Sequence, residues 1–334
     1  MKAKSSFYLL FIILFPILSC KKDKSPGPKT EGQVDVYLAG YVQAKNGRYV
    51  AAYWKNGVIT KLTDSVSDSF GNNIVVNGTD VYVTGSVDTK GATYWKNGKP
   101  VILTTTSGIT NAIAISGSDV YVAGASKGYC YWKNGTIIRL PTPRIYNSTD
   151  INSIAVKGND VYVVGGVYAN NGNSVATYWK NGIPKRLVDS TMFSYAKGIA
   201  IQGNDVYISG YTTLSTDGFE VGTYWKNDEQ HSLSGDHYSE AISIVVSGSD
   251  IYLGGHTLGS VYNTTVATYW KNGAETRIGS EAPGNYASNI QVSGTDIYIL
   301  AYDGINKVYW KNNKPVPYTT DHTANVYAMV VVPR

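Results

Sequence analysis

Residues 112–135 read AIAISGSDVYVAGASKGYCYWKNG, and variants of this stretch occur seven times along the 334-residue chain. Tyr-Trp-Lys-Asn is present in every copy, and these copies contain all of the tryptophans of the protein. Successive tryptophans lie 37 to 47 residues apart, which is about the length of one four-stranded propeller blade. We predict a structural role in the repeat for all seven: Trp54, Trp95, Trp132, Trp179, Trp225, Trp270 and Trp310.

The pattern within one repeat predicts strands joined by tight turns. β-branched and aromatic residues alternate with other types over four to six positions, which is typical of strands. Asn134-Gly135 indicates a hairpin, because a type I′ turn needs positive φ at both central residues. Strands A to D of this unit are predicted at residues 112–116, 119–124, 130–133 and 136–140. The sequence therefore predicts an all-β fold: a seven-bladed β-propeller of four-stranded antiparallel blades.

The two ends of the repeat region complement each other. The first unit has no strand A before Asp35, and the last unit is followed by a lone strand at residues 327–332. If this C-terminal strand serves as strand A of blade 1, the ring closes without an unpaired sheet edge. We predict that closure, with the propeller spanning residues 34–334.

The N-terminal residues predict export and a lipid anchor. Lys2 and Lys4 precede an apolar run at residues 7–18 that is too short to span a bilayer, which indicates a secretory signal. The tetrapeptide Ile-Leu-Ser-Cys ending at Cys20 resembles the lipobox of bacterial lipoproteins, which implies cleavage before Cys20 and its lipidation. We therefore predict a signal peptide at residues 1–19 and a lipidated cysteine with a flexible tether at residues 20–33. An ordinary signal peptide is the alternative.

Charge and cysteine content exclude several classes of protein. The formal net charge is +5 and falls to +3 without residues 1–19, and no basic stripe is present, so nucleic acid is not an expected partner. Cys130 has no partner if Cys20 carries lipid, so we interpret it as a small packing residue. The sequence has no metal-ligand spacing, phosphate-binding loop or nucleophile elbow. It predicts no cofactor, no metal and no catalytic residue, and a monomeric propeller.

Two recurring charged positions each allow two interpretations. An aspartate opens the Asp-Val-Tyr or Asp-Ile-Tyr motif of every unit, and a lysine follows every tryptophan. A ring of aspartates could bind cations, and a ring of lysines could face anionic lipid. We favour structural roles for both. An aspartate after a tight turn can accept backbone hydrogen bonds, and solvated lysines discourage strand addition at sheet edges.

The connections between strands place function on one face. A–B and C–D turns are short and alike, whereas 6 to 13 residues separate the end of strand B from the Tyr-Trp pair. Because B–C and D–A connections share one face of a propeller, that face is diversified, and variable loops on a rigid scaffold tend to carry function. Tyrosine suits such recognition surfaces. The candidate ligand-binding residues are Tyr146, Tyr195, Tyr211, Tyr238, Tyr286 and Tyr302.

The repeat unit resembles those of bacterial secreted β-propeller proteins. Its layout, with Asp-Val-Tyr followed by Tyr-Trp-Lys-Asn-Gly, is similar to Kelch repeats and to the HAF extracellular repeats. The chain departs from Kelch repeats because a Gly-Gly doublet occurs only at Gly165-Gly166 and Gly254-Gly255 and because Tyr and Trp are adjacent. The resemblance covers residues 34–334 and implies the fold, since such propellers include binding scaffolds, lectins and enzymes.

Three functional hypotheses follow. The first is a lipid-anchored binding module of a bacterial envelope, periplasmic or surface-exposed, that takes a glycan or a protein loop on its variable face. The second is an envelope glycoside hydrolase or polysaccharide lyase, which requires acids converging in one pocket. The third is a structural component of an envelope complex. Acids scattered among the variable loops are Asp217, Glu220, Asp236, Glu240, Glu281, Asp303 and Asp321, and the sequence does not show whether Asp217, Glu220, Asp236 or Glu240 converge.

Overall fold

The computed structural model describes residues 33–334 apart from residues 89, 106, 142–150, 169–171, 190, 214–217, 234–237, 303–307, 320 and 322. The described residues form 28 strands and no helix. None of them forms a helix with the length and apolar character needed to cross a membrane. The predicted signal peptide, Cys20 and nearly all of the predicted tether lie outside the described residues, as does Tyr146.

The strands form seven four-stranded antiparallel sheets, which confirms the predicted fold class. The strands of each blade are given from the inner to the outer one. Blade 1 contains β28 (Asn325–Pro333), β1 (Val34–Gln43), β2 (Tyr49–Lys55) and β3 (Val58–Lys61), and blade 2 contains β4 (Ser69–Asn77), β5 (Asp80–Val87), β6 (Gly91–Lys96) and β7 (Lys99–Ile102). Blade 3 contains β8 (Ile109–Ser116), β9 (Asp119–Ala125), β10 (Tyr129–Lys133) and β11 (Thr136–Arg139).

Blades 4 to 7 follow the same order. Blades 4 and 5 are β12 (Ile151–Lys157), β13 (Asp160–Tyr168), β14 (Ser174–Lys180), β15 (Ile183–Arg186); and β16 (Ser194–Gln202), β17 (Asp205–Thr213), β18 (Glu220–Lys226), β19 (Glu229–Ser232). Blades 6 and 7 are β20 (Ser239–Ser247), β21 (Asp250–Leu258), β22 (Thr265–Lys271), β23 (Ala274–Ala282); and β24 (Tyr286–Ser293), β25 (Asp296–Tyr302), β26 (Val308–Lys311), β27 (Lys314–Pro317).

The ring closes through its two ends, as predicted. β28 pairs antiparallel with β1 from Val34 opposite Pro333 to Tyr41 opposite Asn325. β28 also contacts β24 of blade 7 and β4 of blade 2, so it joins three blades at the centre. All 28 strands lie within residues 33–334. A chain that begins at residue 21 therefore contains the complete closed fold.

The tryptophans fill the spaces between blades. Six of the seven are at most 1% exposed, and Trp310 is partly buried. Each ring packs against the preceding blade, as Trp179 of blade 4 does against Tyr129 and Tyr131 of blade 3. The indole N–H of Trp179 donates to the Pro141 carbonyl at 3.0 Å. These large rings account for much of the apolar burial between neighbouring sheets.

The recurring aspartate and lysine bind each other within every blade. In blade 3, Lys133 Nζ lies 3.0 Å from Asp119 Oδ2 and 5.3 Å from the Tyr121 ring centre. Asn134 Nδ2 donates to Asp119 Oδ1 at 2.8 Å, and Asn134 Oδ1 accepts from the Val120 N–H at 2.9 Å. Hydrogen bonds from Asn134 and then Lys133 lower the pKa of Asp119. The aspartate thus accepts side-chain hydrogen bonds instead of the expected backbone ones. The lysines lie on the third strand of each blade, and not on the outer strand that forms the sheet edge.

Every inner strand contains a β-bulge near its variable-face end, which the sequence analysis did not predict. One residue there has no partner on the neighbouring strand, and in blades 2 to 4 it is an asparagine whose side chain donates to the next blade. Asn72, Asn111 and Asn152 donate to the carbonyls of Thr110, Ile151 and Ala196 at 2.8, 2.6 and 2.7 Å. The bulge residues, in blade order from 2 to 7 and then 1, are Asn72, Asn111, Asn152, Lys197, Ile242, Ser288 and Tyr327.

Candidate functional site

The two faces of the propeller differ as expected from loop lengths. On one face, each C–D turn has its asparagine in the left-handed region, for example Asn134 with φ 49°. On the other face, the A–B register pair two positions before the bulge residue of strand A has aliphatic side chains in blade 3 and aromatic, glutamate or histidine side chains in blades 5 to 7. The pairs are Ile109 with Ala125, Tyr195 with Tyr211, Glu240 with His256, and Tyr286 with Tyr302.

The candidate tyrosines lie at this variable face in neighbouring blades. Tyr195 and Tyr211 stack with centroids 6.1 Å apart and an interplanar angle of 11°. Tyr286 and Tyr302 stack at 5.8 Å. Tyr211 is only 6% exposed, whereas Tyr302 is 51% exposed. Tyr238 precedes β20, and its ring centre lies 5.5 Å from that of His256.

A cavity of about 590 Å³ opens between blades 6 and 7 at this face. Its volume falls within the usual range for small-molecule sites, which combine apolar walls with a few convergent polar groups. Two of the candidate residues, Tyr238 and Tyr286, belong to its wall. The described residues that line it are Phe219, Tyr238, His256, Leu258, Asn263, Thr264, Thr265, Pro283, Gly284, Asn285 and Tyr286.

Two buried polar atoms in the cavity wall have no hydrogen-bond partner among the described residues: His256 Nδ1 and Asn285 Oδ1. His256 is 8% exposed and Asn285 is 1% exposed. Asn285 Nδ2 donates to the Ser280 carbonyl at 2.8 Å, which orients the amide oxygen. Burial lowers the pKa of His256, so the ring is neutral and one of its nitrogens is an acceptor. Leaving such atoms unsatisfied costs free energy that a bound ligand can recover.

Two carboxyl groups meet beside this cavity. Glu220, at the start of β18, is hydrogen-bonded to Glu240 of β20 and to the hydroxyl of Tyr238. Burial, followed by the charge of Glu240, raises the pKa of Glu220 to about 7. Two carboxyls in contact repel each other when both are ionised, which favours the protonated form of Glu220. Burial, followed by the charges of Glu240 and Glu220, also raises the pKa of Tyr238.

Lys197, the bulge residue of blade 5, is the described cation nearest this chemistry. Its ammonium group lies 4.6 Å from the Tyr195 ring centre and 5.7 Å from that of Tyr211. Its positive charge lowers the pKa of Glu220, but by less than burial raises it. In blades 2 to 4 the same bulge position holds an asparagine that donates a hydrogen bond to the next blade. Lys197 is therefore the first bulge residue that departs from the repeat.

The one carboxyl pair that meets here among the described residues, Glu220 with Glu240, does not have the spacing of a two-carboxylate glycosidase. Such enzymes separate their carboxyl groups by about 5 to 9.5 Å, to accommodate a nucleophile or a water, whereas Glu220 and Glu240 are in hydrogen-bond contact. Within the described part of the chain, no three His, Cys, Asp or Glu side chains are placed to hold a metal ion. Cys130 is buried, and burial raises the pKa of its thiol to about 11, which makes it a poor nucleophile.

The other candidate acids lie elsewhere, as does His231. Glu281 Oε2 accepts from the Ser260 N–H at 2.8 Å and the Ser260 hydroxyl at 2.9 Å, which fixes the loop between β21 and β22. Asp321 Oδ1 accepts from the Thr323 hydroxyl at 2.7 Å within a turn. His231 stacks on Tyr224 with centroids 4.7 Å apart. The candidate acids Asp217, Asp236 and Asp303 lie outside the described residues.

Sequence reasoning did not bring these residues together. Glu220, Tyr238 and Glu240 were candidates, but nothing in their spacing showed that they touch. His256, Asn285 and Lys197 were not assigned to the site. One position in the sequence could have pointed to this part of the ring. It is the bulge residue of strand A, which is asparagine in blades 2 to 4 and changes from Lys197 onward.

Comparison with known proteins supports the fold alone. No protein-family model and no curated protein matches this chain. A puromycin-hydrolyzing peptidase of Mycobacterium tuberculosis is similar over 87% of this chain and 53% of its own, with a TM-score of 0.58 and 10% identity. This chain thus spans about half the length of that peptidase. At this identity the likeness shows a shared fold and gives no information about activity.

Two other solved structures align less closely. TolB from Acinetobacter baumannii is similar over 74% of this chain and 64% of its own, with a TM-score of 0.43 and 11% identity. The computationally designed Ika8 protein is similar over 82% of this chain and 96% of its own, with a TM-score of 0.43 and 15% identity. The seven-bladed propeller assignment therefore depends on the strand topology described above.

Proposed function

We propose that this propeller is a binding module of a bacterial cell envelope, and that the cavity between blades 6 and 7 takes a segment of a glycan. The carrying observation is the combination of aromatic walls with the two buried polar atoms of His256 and Asn285 that have no partner among the described residues. A sugar offers apolar C–H faces that stack on tyrosine and hydroxyl groups that donate to such acceptors.

The side chains of the cavity favour a neutral or weakly charged ligand. The described residues of the wall include no lysine, arginine, aspartate or glutamate. Tyr238 and Tyr286 supply large contact areas with few rotatable bonds, so their ordering costs little entropy on binding. Thr264 and Thr265 add hydroxyl groups, and Asn263 adds an amide. A protein loop that inserts an apolar side chain is the alternative occupant.

Tyr286→Ala tests this site. We expect specific binding of residues 21–334 to a member of a broad glycan array, and a loss of at least about tenfold in affinity, or ~1.4 kcal/mol, in this variant. The loss follows from removing a ring that forms one wall of the cavity. Isothermal titration calorimetry with the selected glycan gives the affinities.

Val58→Ala is the matched control, because Val58 is 71% exposed at the start of β3, next to the C–D turn of the uniform face. It should bind like the parent chain. Equal weakening by both substitutions would place binding outside the cavity. An array without any specific signal would contradict a glycan ligand and direct the search to protein partners by crosslinking.

The anchor belongs to the same proposal. We infer lipidation of Cys20 from the apolar run and the tetrapeptide that ends at this residue. Cells expressing the full chain and fed an alkyne fatty acid should incorporate the label, and Cys20→Ala should remove both the label and the membrane association. A labelled Cys20→Ala chain, or an unlabelled parent chain, would contradict the anchor.

A further inference from the structure

The carboxyl pair is connected to the proposed binding cavity through two shared residues. Tyr238 lines the cavity and hydrogen-bonds Glu220. His256 also lines the cavity, lies opposite Glu240 in the β20–β21 register, and is affected by the charge of Glu240. A change in the distance between Glu220 and Glu240 would therefore displace residues that shape the cavity wall.

The pair has two distinct states. With one proton between them, Glu220 and Glu240 can keep the hydrogen-bond contact seen in the structure. When that proton is lost, two negative charges face each other at hydrogen-bond distance, and repulsion favours opening of the contact. Glu220 and Glu240 come from different blades, on β18 and β20, so separation does not require breaking a strand ladder.

The groups around the pair set where this change occurs. Lys197 of β16 contributes a positive charge that acts on both Glu220 and His256. Tyr211 of β17, Tyr238 before β20 and His256 of β21 are neutral at pH 7, because burial raises the pKa of both tyrosines and lowers that of the histidine. Lys197 is therefore the only described group among these neighbours that bears a charge at pH 7.

We propose that the Glu220–Glu240 pair makes the cavity between blades 6 and 7 proton-dependent. The shared proton keeps Glu220 and Glu240 together and thereby holds Tyr238 and His256 in the arrangement seen here. Loss of the proton separates the carboxyls and moves both wall residues. This inference rests on the proposed function, since it concerns the same cavity. A ligand complementary to the observed wall binds more tightly below neutral pH than above it.

The first experiment follows the NMR signal of the wall residue Tyr238 against pH in the absence of a ligand. Residues 21–334 are labelled with tyrosine carrying ¹³C at Cζ, and the Tyr238 signal, assigned by its loss in Tyr238→Phe, is followed from pH 5 to pH 9. We expect a single transition near pH 7 that is absent from both Glu220→Gln and Glu240→Gln. A glutamine at either position keeps the shape but has no proton to lose.

Controls separate the pair from nearby histidines. The transition should persist in His237→Gln, whose site adjoins Tyr238 in sequence, and in His256→Gln. A Tyr238 signal that does not change with pH, or one that still titrates near pH 7 in both glutamate variants, overturns the inference. Using two separate glutamate variants keeps the test valid if one of them fails to fold.

The second experiment measures binding of the array-selected glycan at pH 6 and pH 8. We expect affinity to be about fivefold or more lower at pH 8, in line with ordinary coupling energies, and the difference to vanish in Glu220→Gln. Equal affinities at both pH values overturn the inference while leaving the proposed function intact. If Tyr238 shows the transition but the protein binds no glycan, the proposed function is overturned, whereas the proton dependence of the cavity wall is supported.

Discussion

Removal of residues 325–334 is expected to abolish the folded ring. This change deletes β28, so β1 loses its partner from Val34 to Tyr41 and becomes an unpaired edge at the centre of the molecule. Ala328 and Met329, which are 4% and 2% exposed, leave the core between blades. An open strand edge of this kind also promotes aggregation. We expect no cooperative thermal transition and elution in the void volume on size-exclusion chromatography.

A shorter deletion and an added peptide serve as controls for that experiment. Removal of Arg334 alone deletes only its exposed ion pair with Asp35 and its N–H bond to Gln33, so stability should change by less than about 1 kcal/mol. A synthetic peptide of residues 325–334, added to the shortened chain, should restore the transition by occupying the vacant position. A shortened chain that stays monomeric and unfolds at the parent temperature would contradict closure by β28.

Replacing one inter-blade tryptophan gives the second large effect. Trp179 is fully buried against Tyr129 and Ile151, and its N–H donates to the Pro141 carbonyl at 3.0 Å. We expect Trp179→Ala to lower the free energy of unfolding by about 3–5 kcal/mol, which is the usual cost of such a core truncation. Urea denaturation of residues 21–334, followed by circular dichroism, measures the difference.

Trp310 is the natural control, because it occupies the same repeat position but is only partly buried. Trp310→Ala should cost roughly 1–2 kcal/mol less than Trp179→Ala, since less apolar area returns to water. Trp179→Phe keeps an aromatic ring but removes the indole hydrogen bond, which is worth about 1 kcal/mol, together with part of the buried ring area. Equal losses from both alanine variants would show that burial between blades is not the source of the effect.

The candidate site was only partly predictable from the sequence. Loop lengths predicted one face with uniform turns and one with variable loops, and the structure has these two faces. The candidate tyrosines Tyr238 and Tyr286 line the cavity at the variable face. The contact between Glu220 and Glu240 joins β18 to β20 across two blades, and sequence periodicity contains no information about distances between blades. Loop composition does not reveal burial: Tyr211 was a candidate, but it is only 6% exposed and stacks on Tyr195.

The amino-acid sequence by itself determined the seven blades, their strand order and the closing strand. Each repeat combines alternating apolar residues with turn residues whose φ values are local requirements, so the blade is specified within about 45 residues. Only the tertiary structure decided the bulges of the inner strands, the contact between Glu220 and Glu240, and the atoms of His256 and Asn285 that have no hydrogen-bond partner among the described residues. These features arise where neighbouring blades meet, and their energies depend on burial and distance that no local pattern encodes.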